Sequence, residues 1–156
     1  MKTRVLSDCR QLTPKEPSRL WQAYGRTTFV AYTDDEVIRL RTGRRSPRLD
    51  RMMAQHAATA WAFITAYNPA SARQSTEANK VQQRKLRRAV RRRGLTFWVG
   101  EGVGDDRRWP PEPSLLILGL EEEDARAIGR RFGQLAVLVG RKRKAARLVQ
   151  CLGNVE

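Results

Sequence analysis

Three short stretches gather the polar side chains least explained by core packing or a solvated surface: Tyr67-Asn68-Pro69-Ala70-Ser71, Gly100-Glu101-Gly102, and Trp109 through Ser114. Asn68, Ser71 and Asn79 offer neutral donors and acceptors, and the glycines around Glu101 let a ligand approach the backbone there. Glu112 and Ser114 close the third stretch, and Gln134, beyond Phe132-Gly133, is placed to enter the same region. Brought together, Tyr67, Asn68, Ser71, Asn79, Glu101, Trp109, Glu112, Ser114 and Gln134 make a small polar pocket. Its occupant would be a polar small molecule or nucleotide, held by neutral hydrogen bonds and Glu101. The plain alternative has Asn68 and Pro69 end a strand, the glycines turn the chain, and Phe132-Gly133 finish a helix.

Catalytic chemistry is harder to build from these residues. With one histidine, His56, a multi-histidine metal site is excluded, and a Ser-His-Asp arrangement would have to recruit that residue from the apolar face of a helix. Glu101 and Glu112 form a carboxylate pair of the kind used in acid-base work, but nothing in the intervening sequence fixes their distance. Ser71 and Ser114 have no neighbouring base. No catalytic residue, metal or cofactor is assigned, and whether the protein is an enzyme stays open.

Charge points to a second class of partner. The 156 residues hold 31 Lys and Arg against 16 Asp and Glu, a net charge of +15, and an excess of that size favours polyanions such as RNA or DNA. Its distribution is uneven: segment 73–93 carries nine basic residues against Glu77, whereas segment 94–140 is net negative. At 100° per residue, Lys80, Arg84, Arg87, Arg88 and Arg91 cluster on one side of a helix opposite Ala78, Val81, Leu86, Ala89 and Val90. With the turn Arg141-Lys142-Arg143-Lys144, that ridge suits phosphate oxygens. No aromatic interleaving, zinc-finger spacing or RNP-like signature accompanies it, so a solvated helix face is its plain reading.

The elements that must position these residues follow from periodicity and punctuation. A polar leader over 1–17 precedes a single domain over 18–152, a length that suits one core. SRLWQAY predicts a short helix capped by Ser18, and TTFVAYTDDEVIRLRTG a hairpin of strands Phe29–Tyr32 and Val37–Leu40. SPRLDRMMAQH opens with Ser46 and Pro47, and puts Leu49, Met52, Met53 and His56 on one helical face. ATAWAFITAY predicts a buried strand ended by Asn68-Pro69. The longest helix runs from about Ser75 to Arg93 and stops at Gly94; strand LTFWVG, a loop over GEGVGDDRRWPPEP and strand SLLILGL follow. EEEDARAIGRRFG is a helix whose leading acids suit its dipole, and LAVLVG and AARLVQCL are closing strands. The order α-β-β-α-β-α-β-β-α-β-β does not alternate strictly, which predicts an α+β domain with a mixed sheet covered by about four helices.

Cys9 and Cys151 lack metal or redox spacing and fit a reducing compartment. The start MKTRVLSDCRQL has no apolar core of signal-peptide length, and no run approaches a membrane span. The expectation is a cytoplasmic, soluble protein without a membrane partner.

The motifs AFITAYNP, Ser71, Glu77-Ala78-Asn79, GEG, Trp109-Pro110-Pro111-Glu112-Pro113-Ser114 and RRFGQLAV, in that order, resemble the bacterial family known as domain of unknown function 3293. The resemblance spans roughly residues 18 to 150. It implies a single bacterial domain and brings no activity, substrate or cofactor. The basic density of the long helix and final turn departs from the family's usual pattern. The readings that stand side by side are a small-ligand cleft, a nucleic-acid accessory protein using helix 80–93 and turn 141–144, and a non-catalytic protein-interaction module.

Overall fold

The computed structural model describes residues 19–105 and 108–151. The leader, the Ser18 cap and Cys9 lie outside the described residues. Among the described residues, four helices and seven strands follow the expected order: α1 Arg19–Gly25, β1 Thr28–Tyr32, β2 Val37–Leu40, α2 Pro47–Gln55, β3 Ala60–Ile64, α3 Thr76–Arg92, β4 Phe97–Val103, β5 Glu112–Leu118, α4 Glu122–Arg131, β6 Ala136–Arg141 and β7 Arg147–Gln150. A single 3₁₀ turn, Pro69–Ser71, interrupts the connection between β3 and α3. The strands form one sheet in the order β2-β1-β4-β5-β3-β6-β7, with every pairing antiparallel.

All five residues of β3 are buried, which requires cover on both faces of the sheet. Alternation divides them between two cores. Ala62 and Ile64 pack with Leu115, Ile117, Val137 and Val139 beneath Leu86 and Val90 of α3 and Ile128 of α4. Trp61 and Phe63 face the other way with Leu116, Leu118 and Leu138, and meet Leu49, Met52 and Met53 of α2. The sheet curls around α2: Gly43 N donates to Ala146 O at 2.8 Å and Ala146 N to Arg44 O at 3.0 Å, so chain beside edge strand β2 bonds chain beside edge strand β7. Gly140 permits this packing because a Cβ there would overlap the Trp61 indole.

Helix starts obey local chemistry. Ser46 and Ser75 accept hydrogen bonds from Leu49 N and Ala78 N, at 3.2 and 3.1 Å, which satisfies amides at the helix origin. Gly94 and Gly133 follow α3 and α4 with φ of +70° and +71°, where a side chain would be strained. His56 departs from expectation. The helix ends at Gln55, so the i+7 projection no longer applies, and His56 is an exposed C-cap whose ring lies 5.2 Å edge-on from Trp98. Among the described residues no helix is long and apolar enough to cross a membrane.

Candidate functional site

Alternation on β1, β3, β6 and β7 leaves Phe29, Phe63, Leu138 and Leu148 on the concave face of the sheet, beyond the end that α2 fills. There they floor a cleft of about 400 Å³ roofed by Ala23, Tyr24 and Arg26 from the end of α1 and the residue after it. Phe29 and Phe63 meet edge to face at 5.4 Å. Polar groups line the wall at the ends of β3 and β5: Thr65, Asn68, Ser71, Glu112, Ser114 and Gln134, with Trp109 at the rim.

The wall holds its shape because α3 and α4 supply the partners that the end of β3 loses. Ala66 N donates to Gln83 Oε1 at 2.9 Å and Asn68 N to Asn79 Oδ1 at 2.8 Å; both acceptors are buried side chains of α3. Asn68 Oδ1 accepts from Asn79 Nδ2 and Gln74 N, each at 2.9 Å. Gln134 Nε2 donates to Tyr67 O at 3.1 Å, and Ala70 N to Gly133 O at 2.7 Å. Gly133 is needed here, since a Cβ would stand 2.8 Å from Pro69 Cβ. Asn68, Ala70 and Ser71 all take positive φ, at 46°, 56° and 57°, a concentration of backbone strain that only a dense bonding network sustains. Tyr24 of α1 ties the roof to this loop through its hydroxyl, 2.7 Å from Ser71 Oγ.

Glu112, at the start of β5, is the fixed charge of the wall. Its Oε1 accepts from Asn68 Nδ2 at 2.8 Å and Trp109 Nε1 at 3.1 Å, and Oε2 has no hydrogen-bond partner among the described residues. Gly102 sits opposite Glu112 in the β4–β5 register and lines the cleft without filling it. Arg73 lies 5.7 Å above the Trp109 ring, which holds the indole from outside. At the mouth Arg26 Nε and Asp105 Oδ2 pair at 3.5 Å.

Of the residues picked out by sequence, Asn68, Ser71, Trp109, Glu112, Ser114 and Gln134 therefore line one concavity. Tyr67 contributes its carbonyl to the wall, and Asn79 lies buried behind it as a support. Glu101 is elsewhere. The stretch Gly100-Glu101-Gly102, expected as loop, continues β4 to Val103, and strand alternation sends Glu101 to the face opposite Gly102, where its Oε1 accepts from Tyr32 OH at 2.7 Å. That bond and the nearby Glu101 charge raise the Tyr32 pKa above 10.0, with Arg39 opposing. Tyr24, Phe29, Phe63, Thr65, Asp105 and Leu148 join the cleft without having been singled out. Alternation assigns Phe29 and Phe63 each to a face of its own strand, but only the pairing of β1 through β4 and β5 to β3 puts both on one side of the sheet; nothing in the sequence says that α1 folds across them.

Ser71 bonds to Tyr24 and Ser114 Oγ donates to Glu112 O at 2.9 Å, while His56 sits beside Trp98 on a different stretch of the sheet. Among the described residues no three His, Cys, Asp or Glu side chains gather as metal ligands.

The basic residues separate. On α3, Lys80, Arg84 and Arg88 are exposed, Arg87 is half-buried with its Nε unbonded, and Arg91 stacks 5.6 Å from Phe97. Arg141, the last residue of β6, pairs with Glu121 at 2.6 Å, and in the turn that follows Arg143 N donates to Asp50 of α2. Lys142 N donates to Thr59 O, so the turn is held at the α2 end of the sheet. No bond joins it to α3 among the described residues.

The model of one family, described as protein of unknown function (DUF3293), matches residues 64–137. That stretch runs from the end of β3 into β6 and contains the whole polar wall from Thr65 to Gln134; the roof from α1 lies outside it. No curated protein and no solved structure matches the chain.

Proposed function

We propose that this chain, whose residues 64–137 match the DUF3293 family model with no activity in its description, binds a small molecule with a flat apolar body and an N–H donor edge in the cleft beneath α1. The observation that carries this reading is Glu112, whose Oε1 is held by Asn68 and Trp109 while Oε2 stays open at the edge of an aromatic floor. A carboxylate fixed in this way accepts a hydrogen bond without first losing rotamer freedom. Phe29 and Phe63 suit a ring, and Gln134 and Ser114 add neutral contacts at its edge. Arg26 is the one cation lining the cleft among the described residues, and it is paired with Asp105. A nucleobase or nucleoside fits this chemistry better than a nucleotide.

A thermal-shift screen of nucleobases, nucleosides and aromatic amides tests the reading, because binding to the native state raises the melting temperature with ligand concentration. Glu112→Gln should weaken a hit about ten- to a hundredfold, the loss of a hydrogen bond to a charged group. Glu101→Gln, on the opposite face, should leave it unchanged. A hit indifferent to Glu112 but lost with Glu101 would overturn the proposal.

A further inference from the structure

Between α3 and α4, on the convex side of the sheet, a second depression of about 430 Å³ is lined by Gln82, Lys85, Arg88, Ala89, Arg92 and Arg131, with Phe132 at its base. Four of its residues are cationic and none is acidic. Among the described residues no carboxylate lies within ion-pair distance of any of the four. Arg92 and Arg131 occupy last helical turns, where the dipole favours cations and explains their presence. Lys85 and Arg88 stand further from the helix end and have no such reason. Together with Arg92 they lie at i, i+3 and i+7, a row about 10 Å long on one face of α3. Arg131 adds a cation from the facing helix.

We infer that this groove binds the phosphodiester backbone of a nucleic acid. A row of cations on one wall with a guanidinium on the other fits a linear polyanion, and the net charge of +15 adds long-range attraction. Ala89 and Phe132 exclude water from the base of the groove without offering hydrogen bonds that read sequence. Binding is therefore sequence-independent and strongly weakened by salt. The site shares only Arg88 with the ridge of Lys80, Arg84, Arg87 and Arg91, and it uses no residue of the cleft, so either site can fail alone.

The test is fluorescence anisotropy of a mixed-sequence single-stranded RNA across a roughly tenfold range of salt. Each phosphate contact contributes a log–log slope of about −0.7 on single strands. Lys85→Gln, Arg88→Gln and Arg131→Gln combined should reduce the slope by about two units and the low-salt affinity by at least tenfold. Arg39→Gln, Arg44→Gln and Arg51→Gln combined remove the same charge from other exposed positions and should change neither appreciably. Circular dichroism melts identify any triple variant that has lost the fold; Lys85→Gln with Arg131→Gln then replaces it. Equal losses in both sets would show attraction by net charge alone and overturn the assignment. So would unchanged binding in the groove set, or binding to phosphatidylserine vesicles that exceeds binding to RNA.

Discussion

Asn68 makes four hydrogen bonds from its amide nitrogen and side chain, to Asn79 twice, to Gln74 and to Glu112. It does so with φ at 46°, in the left-handed region that asparagine tolerates better than most residues. Asn68→Ala removes three of those bonds and should cost about 1 to 3 kcal/mol in urea unfolding, chiefly because Asn79 Nδ2 and Gln74 N lose their acceptor. It should also release Glu112 and weaken any cleft ligand. A different residue-scale effect follows for Tyr32, exposed but bonded to Glu101. Because its folded pKa is raised, this pair stabilises the fold below the ordinary tyrosine value and ceases to do so as pH climbs through the raised one. Glu101→Gln should bring the Tyr32 midpoint down, read as tyrosinate absorbance against Tyr32→Phe. A midpoint that stays put would show that the carboxylate does not set it.

At the scale of elements, α3 does two kinds of work along one face. Its buried residues are Asn79, Gln83, Leu86 and Val90, so the last turns insert alkyl groups into the core and the first turns insert amides that accept from the β3–α3 loop. Leu86→Ala should cost about 2 to 5 kcal/mol and leave the wall of the cleft intact. Gln83→Leu should cost about 1 to 3 kcal/mol by orphaning Ala66 N, and should weaken cleft ligands that Gln83 never touches. Urea melts and ligand titrations of both variants separate these effects. The same helix shows what was legible in the sequence. Ser75, Gly94 and the Leu86 and Val90 spacing locate it within a residue at each end. Its burial was not legible: Val81 and Ala78 counted as apolar face yet are exposed, because a scale of hydrophobicity cannot see that Asn79 and Gln83 pair with backbone and go inside. The place of Glu101 is not legible in the sequence for a related reason. Two glycines and an acid look like a turn, whereas in β4 they are inner, outer and inner positions of a strand that the curl of the sheet keeps close to β1.

For the whole molecule, the balance of 31 cations against 16 anions sets the response to salt. The described ion pairs, Arg26–Asp105, Arg45–Asp50, Arg48–Glu36, Arg93–Asp124, Arg141–Glu121 and Arg147–Glu122, lie largely at the surface, where each contributes at most about 1 kcal/mol and fades with ionic strength. Self-repulsion among the excess cations acts in the opposite direction and is densest on α3, where seven Lys and Arg face Glu77 alone. Screening shortens its reach to about 10 Å at 0.1 M salt, so relief of repulsion outweighs loss of the pairs. The melting temperature should rise by several degrees as sodium chloride increases from low to moderate concentration. Screening alone makes this gain the same for chloride and sulfate at matched ionic strength below the range where sulfate acts on burial. Occupancy of the groove by an oxyanion adds a further rise that Lys85→Gln with Arg88→Gln and Arg131→Gln abolishes. A melting temperature that falls with sodium chloride would show that the surface pairs, and not repulsion along α3, dominate the electrostatics of this fold.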